Sequence, residues 1–474
     1  MSDYVIVGAG TAGCVLAARM SATGAEVTVL EGGPDDRRPE IRVPSAYPLL
    51  FGTECDYAYT TRPQPGLNNR QLYWPRGRVL GGCSAINAQI WTRGHPADFD
   101  EWQAAGWSAA ELGPVLRQAE RGPMRLAQLR RPHRSTEAFQ QACTSAGLTA
   151  VDPKDVSVRA GHGPARVIQW HGRRWSAADA YLRPVLRRPN LTVITRADAR
   201  RVLIRGGRAT GVEYLASDGT LCRVPARCEV LVAAGAVGSP ALLLRSGIGD
   251  PEQVGANLQD HLMVPLVFGG GTEADQPDVC SNNAEAMAFL PAGAGELAHD
   301  LELLWMPVPF LDHARVPRHQ GKRGCTLAVV LLRPGSSGRI TATGQGEEID
   351  PGYLTDSRDL ETLLEGVRFA HRLVAGSPLA GWIGEPLNEA AREATAPAIR
   401  ASAETLYHPM GTCAIGKVVD EQLRVKGVAG LRVVDASVCP VLPRGHPLAT
   451  TVAIGERAAE LMTGREMHRS VLRK

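Results

Sequence analysis

Four apolar residues in succession, Tyr4–Val7, open the chain; "GAGTAG" interrupts them, and apolar positions return through Cys14–Met20. A short unbroken run predicts a strand buried on both faces, and the glycines predict a tight turn into a helix. A second run, "VTVL" at 27–30, predicts another strand, ending at an acid, Glu31. Far along the chain, "RDLETLLEGVRFAHRLVAG" (358–376) spaces its apolar residues three and four apart. It predicts an amphipathic helix ending at Gly376, with its apolar side in the core and His371 in a structural place. Nearer the end, "LRVVDASVCP" (431–440) reads as a buried strand and a turn, and "GHPLATTVAIGERAAELM" (445–462) as a loop entering a last helix near Thr450.

The opening unit also carries chemistry. Gly8 permits the turn, Gly10 lets backbone approach a pyrophosphate, and Gly13 lets helix and strand pack closely. A diphosphate would rest on the helix N-terminus, where free NH groups and the dipole favour negative charge. Glu31 is placed to accept hydrogen bonds from adenosine ribose hydroxyls. Strand, turn, helix, strand and acid together predict dinucleotide binding, with NAD and FAD both open on these residues.

Composition narrows the class. At 474 residues there is room for two or three domains and a large core. With 51 glycines and 33 prolines, a loop-rich enzyme is expected. Lys plus Arg number 52 against 49 Asp plus Glu, which gives no global case for nucleic acid or a membrane surface. "RLAQLRRPHRS" from Arg125 reads as a solvated face. The ten cysteines are scattered, without a C-x-x-C pair or zinc-like spacing, so they are expected to be mostly reduced thiols and no metal is expected. The chain enters a strand at once, leaving no room for a cleavable leader, and no apolar run approaches the ~20 residues that span a bilayer. A cytoplasmic location is expected.

In "WPRGRVLGGCSAINAQIWTRGHPADFDEW" (74–102), glycines 77, 81 and 82 allow backbone close to a flat ligand, and Ser84 and Asn87 offer hydrogen-bonding groups beside it. This segment resembles the first signature of the glucose-methanol-choline (GMC) family of flavin oxidoreductases. The resemblance continues through "RRWSAADAYLRPVLRRPNLTV", "GSPALLLRSGIGD", "VGANLQDHL", "LLRPGSSGRI", "IDPGYLTDSRDLETL" and "YHPMGTC", touching most of the chain. It implies FAD as the cofactor. Some relatives attach flavin to a histidine just before the signature's asparagine; here that place is Ile86, so noncovalent FAD is expected.

By the same resemblance the fold is α/β. A discontinuous Rossmann-like FAD domain (1–153, 190–262 and 405–474) stands beside an α+β substrate domain (154–189 and 263–404) with a mixed or antiparallel sheet. Carried onto matching positions, FAD is held by Gly8, Gly10, Thr11, Ala12, Gly13, Glu31 and Gly32. Arg78, Val79, Gly82, Ser84, Asn87, Ala88 and Ile90 follow, then Ala199, Asp435, Ala436, Leu448 and Thr450. The helix beginning near Thr450 would point its NH groups at flavin N1 and O2. Asp435 also suits a turn-capping role, and "VGANLQDHL", His261 included, reads as mainly structural.

"YHPMGTC" matches the family loop whose histidine faces the flavin, which makes His408 the candidate base: it takes the hydroxyl proton of an alcohol while the carbon gives hydride to flavin N5. Relatives place a second histidine or an asparagine just before the final helix. Counting back from Thr451 and Glu456 puts Leu448 there, with His446 two residues earlier. Either Pro447 reshapes the loop so that His446 reaches the site, or the partner is absent and His408 works with backbone NH groups and water. The resemblance thus implies oxidation of an alcohol to an aldehyde or ketone, with oxygen or another acceptor taking the electrons. A lyase or decarboxylase on the same scaffold, and a flavoprotein that has lost catalysis, are the alternatives.

Overall fold

A computed structural model gives the fold and describes residues 1–155, 157, 160–291, 299–311, 313, 323–343, 346–375 and 378–464. The expected helix-ending Gly376 lies outside the described residues. The strand Ser2–Val7 sits between Val27–Glu31 and Leu221–Val232, parallel to both, with Leu191–Thr195 beyond Val27–Glu31. Leu431–Val433 docks parallel on Val230–Val232, so one sheet takes strands from the start, middle and end of the chain. The antiparallel strands Asp198–Arg205 and Arg208–Leu215 extend its edge. Between the first two strands runs the helix Thr11–Ser21, buried along nearly its whole length, its small and apolar residues packed and its one charge, Arg19, paired with Glu456.

The second seven-stranded sheet is antiparallel, in the order Ile383–Pro386, Leu262–Gly270, Gly324–Leu331, Leu301–Met306, Ala286–Leu290 and Gly161–Pro164, with Glu404–Thr405 also on Leu262–Gly270. Its two faces are sorted by the period-two alternation of strands. Leu262, Val264, Leu266, Leu301, Leu303 and Trp305 pack on one side, together with Leu363, Val367, Ala370 and Leu373 of the helix Ser357–Val374. Met263, Leu304 and Met306 face the other way. Asp356 caps that helix through its side chain, and His371 Nε2 donates to the Ala390 carbonyl at 2.8 Å. The helix Arg134–Ser145 lies against this second sheet, at Gly161–Pro164 and Ala286–Leu290.

The ten cysteines are unpaired. Among the described residues no helix is long and apolar enough to cross a membrane.

Candidate active site

A cavity of about 680 Å³ runs between the two sheets. Its first end is the glycine turn. Gly8 has φ +97°, and a Cβ on Gly13 would lie 1.9 Å from the Gly8 carbonyl oxygen, so helix and turn meet only without side chains. A Cβ on Gly82 would lie 2.7 Å from the Gly10 Cα, so the signature loop and the turn form one close cradle. The helix Thr11–Ser21 has no side-chain cap and no acid in its first turn, which leaves its NH groups open for an anion. Glu31 Oε2 accepts from Ala9 NH at 2.8 Å and Oε1 from Gly33 NH at 2.9 Å. Burial pushes its carboxyl up to about 7 against those hydrogen bonds.

Of the expected cofactor residues, Gly8, Gly10, Thr11, Ala12, Glu31, Gly32, Arg78, Gly82, Ser84, Asn87, Ala88, Ile90, Ala199, Asp435, Ala436 and Leu448 line the cavity. Gly13 sits behind the turn, Val79 packs with Ile41 and Leu50, and Thr450 is buried while Thr451 reaches the lining. Several polar groups are already occupied by the chain. Ser84 Oγ donates to the Gly81 carbonyl at 2.6 Å and accepts from Ala177 NH; Asn87 Oδ1 accepts from Arg174 at 2.8 Å. Asp435 accepts from Gly235 NH, Ser437 NH and Ser239, which joins the last strand to the helix Gly235–Arg245 and is the capping role its turn suggested. The final helix starts at Leu448, again with no side-chain cap and no acid in its first turn, and Thr450 Oγ1 has no hydrogen-bond partner among the described residues. These features suit a long dianionic dinucleotide.

At the other end three imidazoles converge. His408 Nδ1 lies 2.9 Å from His261 Nδ1, and the rings of His408 and His446 have centroids 4.9 Å apart. His446, not Leu448, is thus the ring beside His408, although both line the cavity. The loop that delivers His446 is tied down on both sides. Its NH donates to Thr92 Oγ1 at 2.6 Å, and Arg444 pairs with Asp98 and Asp300, all three buried. His446 Nε2 donates to Glu302 Oε1 at 3.0 Å. Glu302, fully buried on the strand Leu301–Met306, has no counterpart in the sequence reading. Its signal was a lone acid in an otherwise apolar strand, which is rarely buried without a partner.

His408 itself is fixed through its backbone. Its NH donates to Asp260 Oδ1 at 2.7 Å, while Asp260 Oδ2 accepts from Thr405 Oγ1 at 2.6 Å and from the Tyr353 hydroxyl. Tyr407 stands at φ +66°, a left-handed conformation that a bulky residue keeps only when its surroundings hold it. Arg76 donates to its carbonyl at 2.7 Å, and Tyr407 NH donates to Thr405 Oγ1 at 2.7 Å. Asp260 and His261 belong to the segment expected to be structural; the structure puts both against His408.

The hydrogen bonds fix the tautomers. His261 Nε2–H donates to the Leu332 carbonyl at 3.1 Å. Burial first, and then His446, hold the His261 imidazole down to about 3, so it is neutral and its Nδ1 is a lone pair. The proton in the 2.9 Å contact therefore sits on His408 Nδ1. Burial, then His446, His261 and Arg76, hold His408 well below the ordinary imidazole value. A neutral ring protonated at Nδ1 carries its lone pair at Nε2, which makes that atom a base.

A mixed sheet with an open glycine turn, joined through one cavity to paired histidines, defines a dinucleotide-dependent redox enzyme. Residues 2–263 and 334–455 match the GMC oxidoreductase family, and this chain belongs to it. An uncharacterized GMC-type oxidoreductase of Mycobacterium bovis is 41% identical over 97% of this chain and 99% of its own length. An alcohol dehydrogenase [acceptor] of Pseudomonas putida is 34% identical over 98% of this chain and 96% of its own. The crystal structure of pyridoxine 4-oxidase from Mesorbium loti superposes with a TM-score of 0.88, at 32% identity, covering 98% of this chain and all of that one.

Proposed function

We propose that this enzyme holds FAD noncovalently and oxidises an alcohol at its CH–OH carbon to an aldehyde or ketone. The observation that carries it is the fixed tautomer chain from Leu332 through His261 to His408, which leaves a neutral Nε2 in the cavity. FAD, when bound, supplies the hydride acceptor. Gly8, Gly10, Thr11 and the first helix would hold its diphosphate, and Glu31 its ribose. His408 Nε2 receives the hydroxyl proton, while His446, its Nε2 tied to Glu302, holds its ring beside that of His408. Arg76, Asp260 and Thr405 hold the loop in place as charge shifts. Ile86 lines the cavity without a nucleophilic atom, which supports noncovalent attachment. The names of the alcohol dehydrogenase and the pyridoxine oxidase agree with oxidation, and nothing in the cavity favours a lyase. The two-part division of the chain belongs to the same proposal, with the helix Arg134–Ser145 assigned to the second part.

The purified chain is expected to be yellow, to release its flavin on denaturation, and to lose visible flavin absorbance when mixed anaerobically with its alcohol. A protein that stays colourless after incubation with FAD, or that keeps flavin through denaturation, contradicts the cofactor assignment.

A further inference from the structure

The cavity's far wall is the side of the antiparallel sheet turned away from the helix Ser357–Val374. Met263 on Leu262–Gly270, and Leu304 and Met306 on Leu301–Met306, line it together with Ala284 and Phe310, each at most 5% exposed. Ala328 and Val330 on the strand between pack into the same cluster. Among the described residues, the one cation of the lining beside the histidines is Arg76, which donates to the Tyr407 carbonyl and to Cys83; the other charges of the lining are gathered away from this wall. Arg78 feels the charge of Glu31 and stacks over Tyr57, beside the glycine turn. Arg245 and Glu347 pair with each other, and Asp56 accepts from the backbone NH groups of Gly52, Ala58 and Arg76. The two acids nearest the histidines, Asp260 and Glu302, are buried behind them and do not reach the lining. The five side chains of the wall therefore offer no counter-charge and no hydrogen-bonding group; the polar groups of the lining, Gln89, Tyr47 and Tyr407 among them, stand outside this wall.

Given the alcohol-oxidising role proposed above, on which this rests, we propose that the substrate is an alcohol whose carbon skeleton is uncharged and apolar, aliphatic or aromatic. A quaternary ammonium alcohol entering such a wall leaves water without gaining an anion, and a polyol leaves hydroxyls unpaired. An alkyl chain or an aromatic ring loses nothing polar, and two methionines let the wall adapt to either shape.

The test uses the FAD-loaded enzyme without oxygen. Hexanol, benzyl alcohol, choline and glucose are compared by the rate of flavin bleaching at equal concentration. In parallel, cumyl alcohol and tetramethylammonium, neither of which has a hydride to give, are titrated while the oxidised flavin spectrum is followed. Hexanol or benzyl alcohol is expected to bleach the flavin about 100-fold faster than choline or glucose, and cumyl alcohol alone to perturb the spectrum. Faster bleaching by choline or glucose, or a spectral response to tetramethylammonium in place of cumyl alcohol, overturns the substrate class and leaves alcohol oxidation standing. Cumyl alcohol binding with no bleaching by any of the four sustains the class and sinks the oxidation. Neither binding nor bleaching overturns both.

Discussion

The reactivity of His408 is decided by a residue that does not face the cavity. The Leu332 carbonyl takes the proton of His261, His261 takes that of His408, and Nε2 of His408 is left basic. Because burial and neighbouring charge hold His408 well below the ordinary imidazole value, acid must reach further down to protonate it. The rate of anaerobic flavin reduction is therefore expected to stay level as pH falls from about 8 to about 6, and to drop only below that, where an unperturbed imidazole of pKa about 6.5 would already have lost activity. A decline centred near that unperturbed value contradicts the depressed base. Glu302 acts through His446 and not on the substrate. Glu302→Gln keeps the shape and removes the charge, so kcat is expected to fall by roughly 10² with flavin content and KM little changed. A change confined to KM would show that Glu302 shapes the pocket instead. The motif around His408 was legible because its residues are adjacent in sequence. His261 lies 147 positions away and Glu302 lies 144 positions from His446, and no local pattern reports such contacts.

Elements carry the site by their periodicity. On Leu301–Met306, alternation sends Leu301, Leu303 and Trp305 to the helix-covered core and Leu304 and Met306 to the cavity. The apolar helix pattern of 358–376 was readable for the same reason: a repeat of three and four residues has one packing solution. The loop before the last helix was harder to read. Counting back from Thr451 gave Leu448, whereas Pro447 begins the turn that leaves Leu448 on the helix and His446 on the loop. That last helix is fastened to the first. Arg19 Nε and Nη2 donate to the two Glu456 oxygens at 2.7 Å each, and Tyr181 adds a third hydrogen bond at 2.9 Å, with both charges buried. Glu456→Gln leaves a buried guanidinium without its anion and is expected to cost about 3 kcal/mol, read as a lower midpoint of denaturant unfolding. An unchanged midpoint would mean that water already reaches Arg19.

Across the whole molecule, the cavity exists only when distant parts of the chain come together. The glycine turn lies within the first fifteen residues, the signature loop near 80, the far wall between 263 and 310, and the histidines beyond 400. The parallel docking of Leu431–Val433 on Leu221–Val232 and the Arg19–Glu456 pair return the end of the chain to its beginning. The glycine turn could be read from sequence because it belongs to one contiguous unit. The far wall could not, since it is drawn from strands whose order in the sheet differs from their order in the chain. The central claim is that a base from one end of the chain serves a flavin anchored at the other. Its most direct measurement is anaerobic reduction of the FAD-loaded enzyme by its alcohol, in wild type and His408→Ala. The account predicts that the variant keeps its flavin and is reduced at least about 10³-fold more slowly. A variant reduced as fast as wild type would contradict it.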